Sequence, residues 1–272
     1  MPELPEVETT RRNIAPYLIN HVIHDVQIYK NAERLAITHS ANDMVLELKK
    51  RRIISLDRYG KYLLFSLDNG RIWVVHLRMT GALIISECVS KKEKYERARI
   101  TLDNGKILIF DDMRKFGTWH IVDNIKQAMP RIGPDAYSSE FTIQWLQTKL
   151  SQRKIAIKNS LLDQKIVAGI GNIYADEACF EAGINPQKPS KELSLHKVRL
   201  LHRSILKVLG RALENGGTTF SNYRDGFGRA GNNSINAQVF RRQGSECFRC
   251  RAIIRKIRLG GRGTHYCPSC QK

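Results

Sequence analysis

Short alternations of apolar and polar residues dominate residues 22–122. VLELKKRRIISL (45–56) and KYLLFSL (61–67) both carry the period of a half-buried strand. Asp-Asn-Gly occurs twice, at Asp68-Asn69-Gly70 and Asp103-Asn104-Gly105, each time between strand-like runs. Asn and Gly reach the positive-φ conformations of a tight turn, so each tripeptide predicts a β-hairpin. The first joins KYLLFSL to RIWVVHL and the second joins ARITL to KILIF. An antiparallel sandwich or barrel accounts for this best. Ahead of it, Leu4, Val7, Ile14 and Leu18 fall on one stripe and predict a helix over residues 3–18.

The pattern changes at IGPDAYSSEFT (132–142), a linker candidate, and beyond it the periodicity is helical. TIQWLQTKL, AIKNSLLDQ, NIYADEACFEAG and the long run 193–215 all suit helices. The last stops at Gly216-Gly217, a natural C-terminal stop. Residues 218–233 are rich in Gly and Asn without periodicity and read as a mobile loop. A small cysteine-bearing module follows. The divisions are therefore 2–131, 132–237 and 238–272.

Charge adds a partner. Of 272 residues, 45 are Lys or Arg and 26 are Asp or Glu, a formal net charge of +19. Such a surface attracts a polyanion, nucleic acid ahead of an anionic membrane. No apolar run approaches the roughly 18 residues of a membrane span. The acidic opening lacks the basic and apolar segments of a secretory signal, so a soluble cytoplasmic protein is expected.

Cys247-x2-Cys250 and Cys267-x2-Cys270 are separated by sixteen residues. Two such knuckles close a tetrahedral four-thiolate zinc site. Two disulfides or a redox pair are weaker readings, because nothing suggests export and no thioredoxin-like βαβ surrounds either pair. Four thiolates leave no position for water, so the zinc is structural. Cys88 and Cys179 stand alone and read as buried or half-buried thiols. Residues 241–272 hold nine Lys or Arg against one acid, Glu246. Arg262, between glycines at an expected hairpin tip, suits a phosphate or a minor groove better than a solvated position. Gly169-Ile170-Gly171 makes a tight approach, with Asn172 placed to cap the next helix. A glycine-flanked helix N-terminus can hold a phosphate, although a plain helical hairpin packed through glycines reads equally well.

One feature resists a bland account. MPELPEVETTRR crowds Pro2, Pro5, Glu3, Glu6 and Glu8 into one short segment. Proline early in a helix and acids near its positive end are ordinary. Yet PELPEVE, HLRMTG (76–81), DDMRKFG (111–117), VAGIGNIYADE (167–177) and the finger with GRGTHYCPSCQ occur together and in order. In these motifs the chain resembles the bacterial formamidopyrimidine-DNA glycosylase family, within the formamidopyrimidine glycosylase and endonuclease VIII superfamily, over residues 2–272.

The resemblance implies a fold and an activity. The fold is α+β: an N-terminal antiparallel β-sandwich with an N-terminal helix, a helix-two-turns-helix domain, and a C-terminal β-hairpin zinc finger. The activity is base excision of oxidised purines, chiefly 8-oxoguanine and formamidopyrimidines, by a monomer holding double-stranded DNA. The nucleophile is then the amine of Pro2 after removal of Met1. An α-amine titrates near 8, against about 10 for lysine, so a useful fraction is neutral. Glu3 matches the acid/base and Lys61 a lysine on a hairpin that reaches a phosphate; read alone, Lys61 is an outward-facing strand residue.

A base in a duplex must be flipped out before chemistry. Met79, Arg114 and Phe116 match the residues that fill the gap, although Met79 and Phe116 also read as core. Asn172 and Arg262 match a phosphate-gripping pair, Lys158 a lysine near the site, and residues 218–233 a loop over the everted base. Arg78 stands where some members have glycine. Two competing readings remain: the endonuclease VIII type, against which Arg114-Lys115-Phe116 argues, and a non-catalytic zinc-finger DNA-binding protein, against which Pro2-Glu3 argues.

Overall fold

The computed structural model describes residues 1–87 and 94–272, so Cys88 lies outside the described residues. The chain divides into two compact units. The first is Met1–Arg131 with Asn215–Asn232; the second is Ile132–Glu214 with Asn233–Lys272.

The first unit starts with helix α1 (Leu4–Leu18), strand β1 (Ile23–Ile28), a 3-10 turn at Glu33–Leu35 and helix α2 (Ala41–Leu48). Strands β2 (Ile53–Tyr59), β3 (Tyr62–Leu67), β4 (Ile72–His76), β5 (Gly81–Ser86), β6 (Glu96–Leu102), β7 (Ile107–Asp112) and β8 (Thr118–Val122) follow, then the short helix α3 (Ile125–Ala128). Among the described residues the strands form two antiparallel sheets, ordered β1-β6-β7-β5 and β2-β3-β4-β8. Both Asp-Asn-Gly turns join neighbours, β3 to β4 and β6 to β7, as the alternation predicts.

The two sheets meet through aromatic rings. Phe110 of β7 lies 5.6 Å from Trp119 of β8, Trp119 lies 4.7 Å from Trp73, and Trp73 stacks on Phe65 at 4.4 Å. Leu4, Val7, Ile14 and Leu18, the predicted stripe of α1, are all fully buried. Each such side chain stabilises by about 1.5–3 kcal/mol through area removed from water.

One expected strand is a helix. Residues 45–48, read as the start of an alternation, belong to α2. Ser40 caps α2 by accepting from the Asp43 amide at 3.1 Å, and Met44 and Leu48 bury one face four residues apart. An alternation of four residues does not outweigh an N-cap followed by an i,i+4 apolar pair.

The second unit contains α4 (Ile143–Ser151), α5 (Ile157–Leu162), α6 (Asn172–Glu181) and α7 (Leu195–Glu214), then the antiparallel hairpin β9 (Arg255–Leu259) and β10 (Arg262–Tyr266). Cys179 on α6 is fully buried, as expected. Gly260 and Gly261, both at positive φ, form the two-residue hairpin turn that favours such residues. Among the described residues, no helix is long and apolar enough to cross a membrane.

A charged brace ties α1 to β2. Glu8 accepts from Arg11 and Arg12 and pairs with Arg58 of β2 at 3.2 Å. Burial alone would push its carboxyl up. Hydrogen bonds from Arg11 and Arg12, with the charges of Arg11 and Arg58, instead hold it at about 2. Its folded-state value thus lies below the ordinary 4.5, so the brace contributes fully above pH 4.5 and is lost as pH falls through about 2. We expect Glu8→Gln to be less stable by about 2–3 kcal/mol near neutrality, with the gap closing towards pH 2. Denaturant titrations of both proteins across pH measure this; a gap independent of pH would refute the assignment.

Candidate active site and nucleic-acid interface

The first turn of α1 is held from its own N3 position. Glu3, the extended N-cap residue, donates its backbone N–H to Glu6 Oε2 at 2.7 Å, one arm of a capping box. Pro2 is buried, and Glu3 is 2% exposed. The second oxygen of Glu6 accepts from the Thr218 amide, also at 2.7 Å. The Tyr223 hydroxyl donates to the Glu6 carbonyl at 3.3 Å. One buried carboxylate therefore joins the Pro2-Glu3 end of α1 to the start of the 218–233 segment. Glu6 was legible as a first-turn acid, but nothing in the sequence pairs it with residue 218.

That segment, expected as a mobile loop, is anchored again further on. Gly226 accepts from the Ile85 amide of edge strand β5 at 2.9 Å and donates to Asn13 Oδ1 of α1 at 3.2 Å. Asp225 Oδ1 accepts from the amides of Phe227 and Arg229. Arg224 pairs with Asp111 at 2.9 Å. Burial pushes the Asp111 carboxyl above its ordinary range, against the pull of Arg224 and Arg97.

Lys61 follows Gly60 in the turn between β2 and β3 and is only 4% exposed, so it is not an outward-facing strand residue. Arg58 braces this turn, donating Nη1 to the Gly60 carbonyl at 3.0 Å while its Nε engages Glu8. The hairpin tip carrying Lys61 is thereby tied to α1, the helix that carries Glu3.

Met79 and the Arg114-Phe116 pair lie on two turns that share one acid. Asp112 is fully buried; its Oδ1 accepts from the Thr80 hydroxyl and the Arg114 amide, and its Oδ2 accepts from the Gly117 amide at 2.8 Å. Thr80 Oγ1 also accepts from the Arg114 amide at 3.1 Å. Phe116 is 51% exposed with the Arg114 guanidinium 4.8 Å from its ring centre, and Met79 is half-buried, so neither is a core residue. Arg78, before Met79, has φ 54°. That left-handed conformation explains why glycine suits this position. The Arg78 amide donates to His76 Nδ1 at 2.9 Å. Burial, then the charges of Arg78 and Lys61, hold His76 well below its ordinary value, so the ring is a neutral acceptor.

In the second unit the remaining candidates converge on β10. The Lys158 ammonium has no exposure; it lies 2.7 Å from Asp176 and donates to the Gly263 carbonyl and to Thr264 Oγ1. Where the resemblance places a lysine near the site, this structure encloses the ammonium among three oxygens with no exposed face. Asp176 also accepts from the His265 amide at 2.9 Å. Asn172 is corrected in a smaller way: Gly171 occupies the cap position, and Asn172, the first helical residue, donates Nδ2 to the Gly263 carbonyl at 3.2 Å. Arg262 opens β10 and is exposed beside that carbonyl. Gln164 secures the turns between α5 and α6, donating to the Ile170 carbonyl and accepting from the Gly169 amide. Glu177 accepts from the amides of Gln238, Val239 and Phe240. Burial raises its carboxyl, though these amides and Arg211 oppose the shift.

The sulfurs of Cys247, Cys250, Cys267 and Cys270 all lie within 4.8 Å of one another, with Cys247–Cys270 at 3.9 Å and Cys250–Cys267 at 3.4 Å. Tetrahedral zinc with bonds of about 2.3 Å separates its sulfurs by roughly 3.8 Å. The donor set fits one structural zinc.

Family models match along the chain: the formamidopyrimidine-DNA glycosylase N-terminal domain over residues 1–119, the H2TH domain of the same enzymes over 132–224, and a zinc finger found in FPG and IleRS over 244–272. The chain is 40% identical to the formamidopyrimidine-DNA glycosylase of Chloroflexus aggregans, covering 100% of this chain and 98% of that one. It is 37% identical to that of Herpetosiphon aurantiacus, covering 100% of both. Among solved structures, a Lactococcus lactis FPG variant in complex with Fapy-dG-containing DNA superposes with a TM-score of 0.92 at 34% identity over 100% of both chains. MutM (FPG) from Thermus thermophilus gives 0.89 at 36% identity over 99% of this chain and 98% of that one. The fold and its motifs thus define a DNA glycosylase of the helix-two-turns-helix class. Within that class the chain belongs to the formamidopyrimidine-DNA glycosylase family.

Two outcomes follow from this geometry. Lys158→Ala leaves Asp176 buried without its cation and is expected to cost about 3–5 kcal/mol. Denaturant titration of the zinc-loaded protein checks it; unchanged stability with weakened DNA binding would restore a direct contact. Asp112→Asn loses an acceptor for two turns and is expected to cost about 1–3 kcal/mol. It should also speed hydrogen exchange at the Arg114 and Gly117 amides while sparing the strand amides of β7.

Proposed function

We propose that the protein is a bifunctional DNA glycosylase and abasic-site lyase that removes oxidised purines from double-stranded DNA. The observation that carries this is the buried Pro2-Glu3 end of α1, fixed by Glu6, in a chain of this family. The amine of Pro2, freed by removal of Met1, attacks C1′ of the damaged nucleotide. The glycosidic bond breaks and its electron pair leaves with the base. Glu3 protonates the sugar ring oxygen as the ring opens, giving a cationic iminium between the Pro2 nitrogen and C1′. This electron sink makes C2′–H acidic, so the 3′ phosphate leaves by β-elimination and the 5′ phosphate by δ-elimination. Water then releases Pro2. Lys61 reaches the phosphate beside the lesion and assists proton transfer.

Because the base must leave the stack, Met79, Arg114 and Phe116 fill the gap it vacates. The Arg114 guanidinium is suited to an orphaned cytosine as a fork of donors. Asn172 and Arg262 grip phosphates, and residues 218–233 close over the everted base.

Borohydride reduction traps an iminium as a stable amine. On duplex DNA containing 8-oxoguanine, protein lacking Met1 is expected to form a covalent adduct at Pro2. Pro2→Gly and Glu3→Gln are expected to lose most excision while still binding DNA. A folded, DNA-binding protein that yields no adduct would sink the Schiff-base reading. Stronger excision of thymine glycol than of 8-oxoguanine would move the protein to the endonuclease VIII type.

A further inference from the structure

Beside the Arg114-Phe116 turn, within the first unit, lies a depression of about 370 Å³. Its walls carry the cations Lys30, Arg34, Arg97, Arg114 and Lys115 against the acids Glu33 and Asp112. Asp112 is occupied by Thr80 and two backbone amides. Glu33 is exposed in its 3-10 turn. The depression is therefore cationic, and its acids do not neutralise it.

Arg97 is the informative residue. It is only 6% exposed, yet its guanidinium makes one hydrogen bond among the described residues, from Nε to the Asp112 carbonyl at 2.7 Å. Asp111, the other nearby acid, pairs with Arg224 instead. A guanidinium has five N–H donors, and neither Nη group of Arg97 is a buried atom without a partner, so the donors that Nε does not use stay open to solvent. Its two Nη groups form a planar fork that matches two oxygens of a phosphate. Lys30, Arg34 and Lys115 are exposed around it and have no ion pair among the described residues.

We propose that Arg97, with Lys30 and Arg34, is a phosphate site for the DNA strand opposite the damaged base. A free phosphate ion shares this chemistry, but the position favours the strand. The depression is walled by Arg114 and Phe116 themselves. This part rests on the wedge role given above to that pair: residues that enter the gap and meet the unpaired base bring the depression to the backbone of the strand carrying that base. The site would hold that strand while its partner is bent and emptied. It would also favour duplex over single-stranded substrate.

The test uses the whole zinc-loaded protein and duplex DNA with a tetrahydrofuran abasic analogue. Lys30→Ala/Arg34→Ala keeps the buried Arg97 intact and so avoids a folding defect. The double variant is expected to bind roughly ten-fold more weakly near 0.1 M salt, with the salt-dependence slope reduced by about one to two. Neutral methylphosphonate linkages are then placed one at a time along the opposite strand. At one or two positions flanking the unpaired nucleotide they should weaken the parent protein comparably and affect the double variant, which keeps only Arg97 of the three, distinctly less. Equal affinity and slope for variant and parent would overturn the proposal, as would a variant as sensitive as the parent at every linkage. A third arm titrates inorganic phosphate: saturable binding lost in the variant, with a flat linkage scan, would assign the site to the free ion and overturn the strand assignment. Borohydride trapping of the parent on an authentic abasic site, and the effect of Phe116→Ala on binding, report separately on the Schiff-base and wedge readings.

Discussion

The carboxylate of Glu6 is the constraint on which the first unit's chemistry rests. Its two oxygens accept from the Glu3 and Thr218 amides, both at 2.7 Å and the second across 212 positions of sequence. A helix N-terminus attracts negative charge because its amides point outward unpaired. Here the acid that caps α1 also seats the loop. The end of α1 and the onset of residues 218–233 cannot be positioned independently, since moving either one abandons a buried amide. The nucleophile proposed at Pro2 needs such a frame, because chain termini otherwise fray.

The same logic recurs wherever the protein has to fix a turn. Asp112 joins two turns, Asp176 joins α6 to β10, and Glu177 gathers three successive amides. Glu8 serves three arginines. In a chain with 45 basic and 26 acidic side chains, these acids turn inward and organise backbone, while many arginines and lysines stay at the surface. With a formal net charge of +19, the outward field is positive and suits a polyanion at long range. Lys158 is the exception that shows the rule. It is turned inward, and it joins α5, α6 and the finger hairpin through Asp176 instead of facing solvent.

What was legible in the sequence was local. The Asp-Asn-Gly hairpins, the α1 stripe, the helical run ending at Gly216-Gly217 and the cysteine knuckles each announce themselves within a few residues. Pro2, Glu3 and the wedge residues needed motifs in order, because their types alone admit bland readings. What was not legible has physical reasons. At residues 45–48 a cap and an i,i+4 pair overrode a short alternation. At Lys158, a lone lysine gave no hint of Asp176, eighteen positions on and one helix away. The Thr80–Asp112 and Glu6–Thr218 contacts were invisible because hydrogen bonds between distant segments leave no periodic trace.

The shared carboxylate at Asp112 bears on how the proposed wedge works. Met79 and Phe116 belong to different turns, one after β4 and one after β7, and could in principle probe a duplex separately. Asp112 and Thr80 instead hold both turns through a short set of hydrogen bonds to the Arg114 and Gly117 amides. Unstacking a base step costs a few kcal/mol, comparable to what these bonds contribute together. A wedge on independent, pliable turns would deform before the DNA did. In the proposed role, two turns bound to one buried acid, itself backed by the Arg97 guanidinium on its carbonyl, would transmit the load to β6 and β7 and leave the base stack to yield.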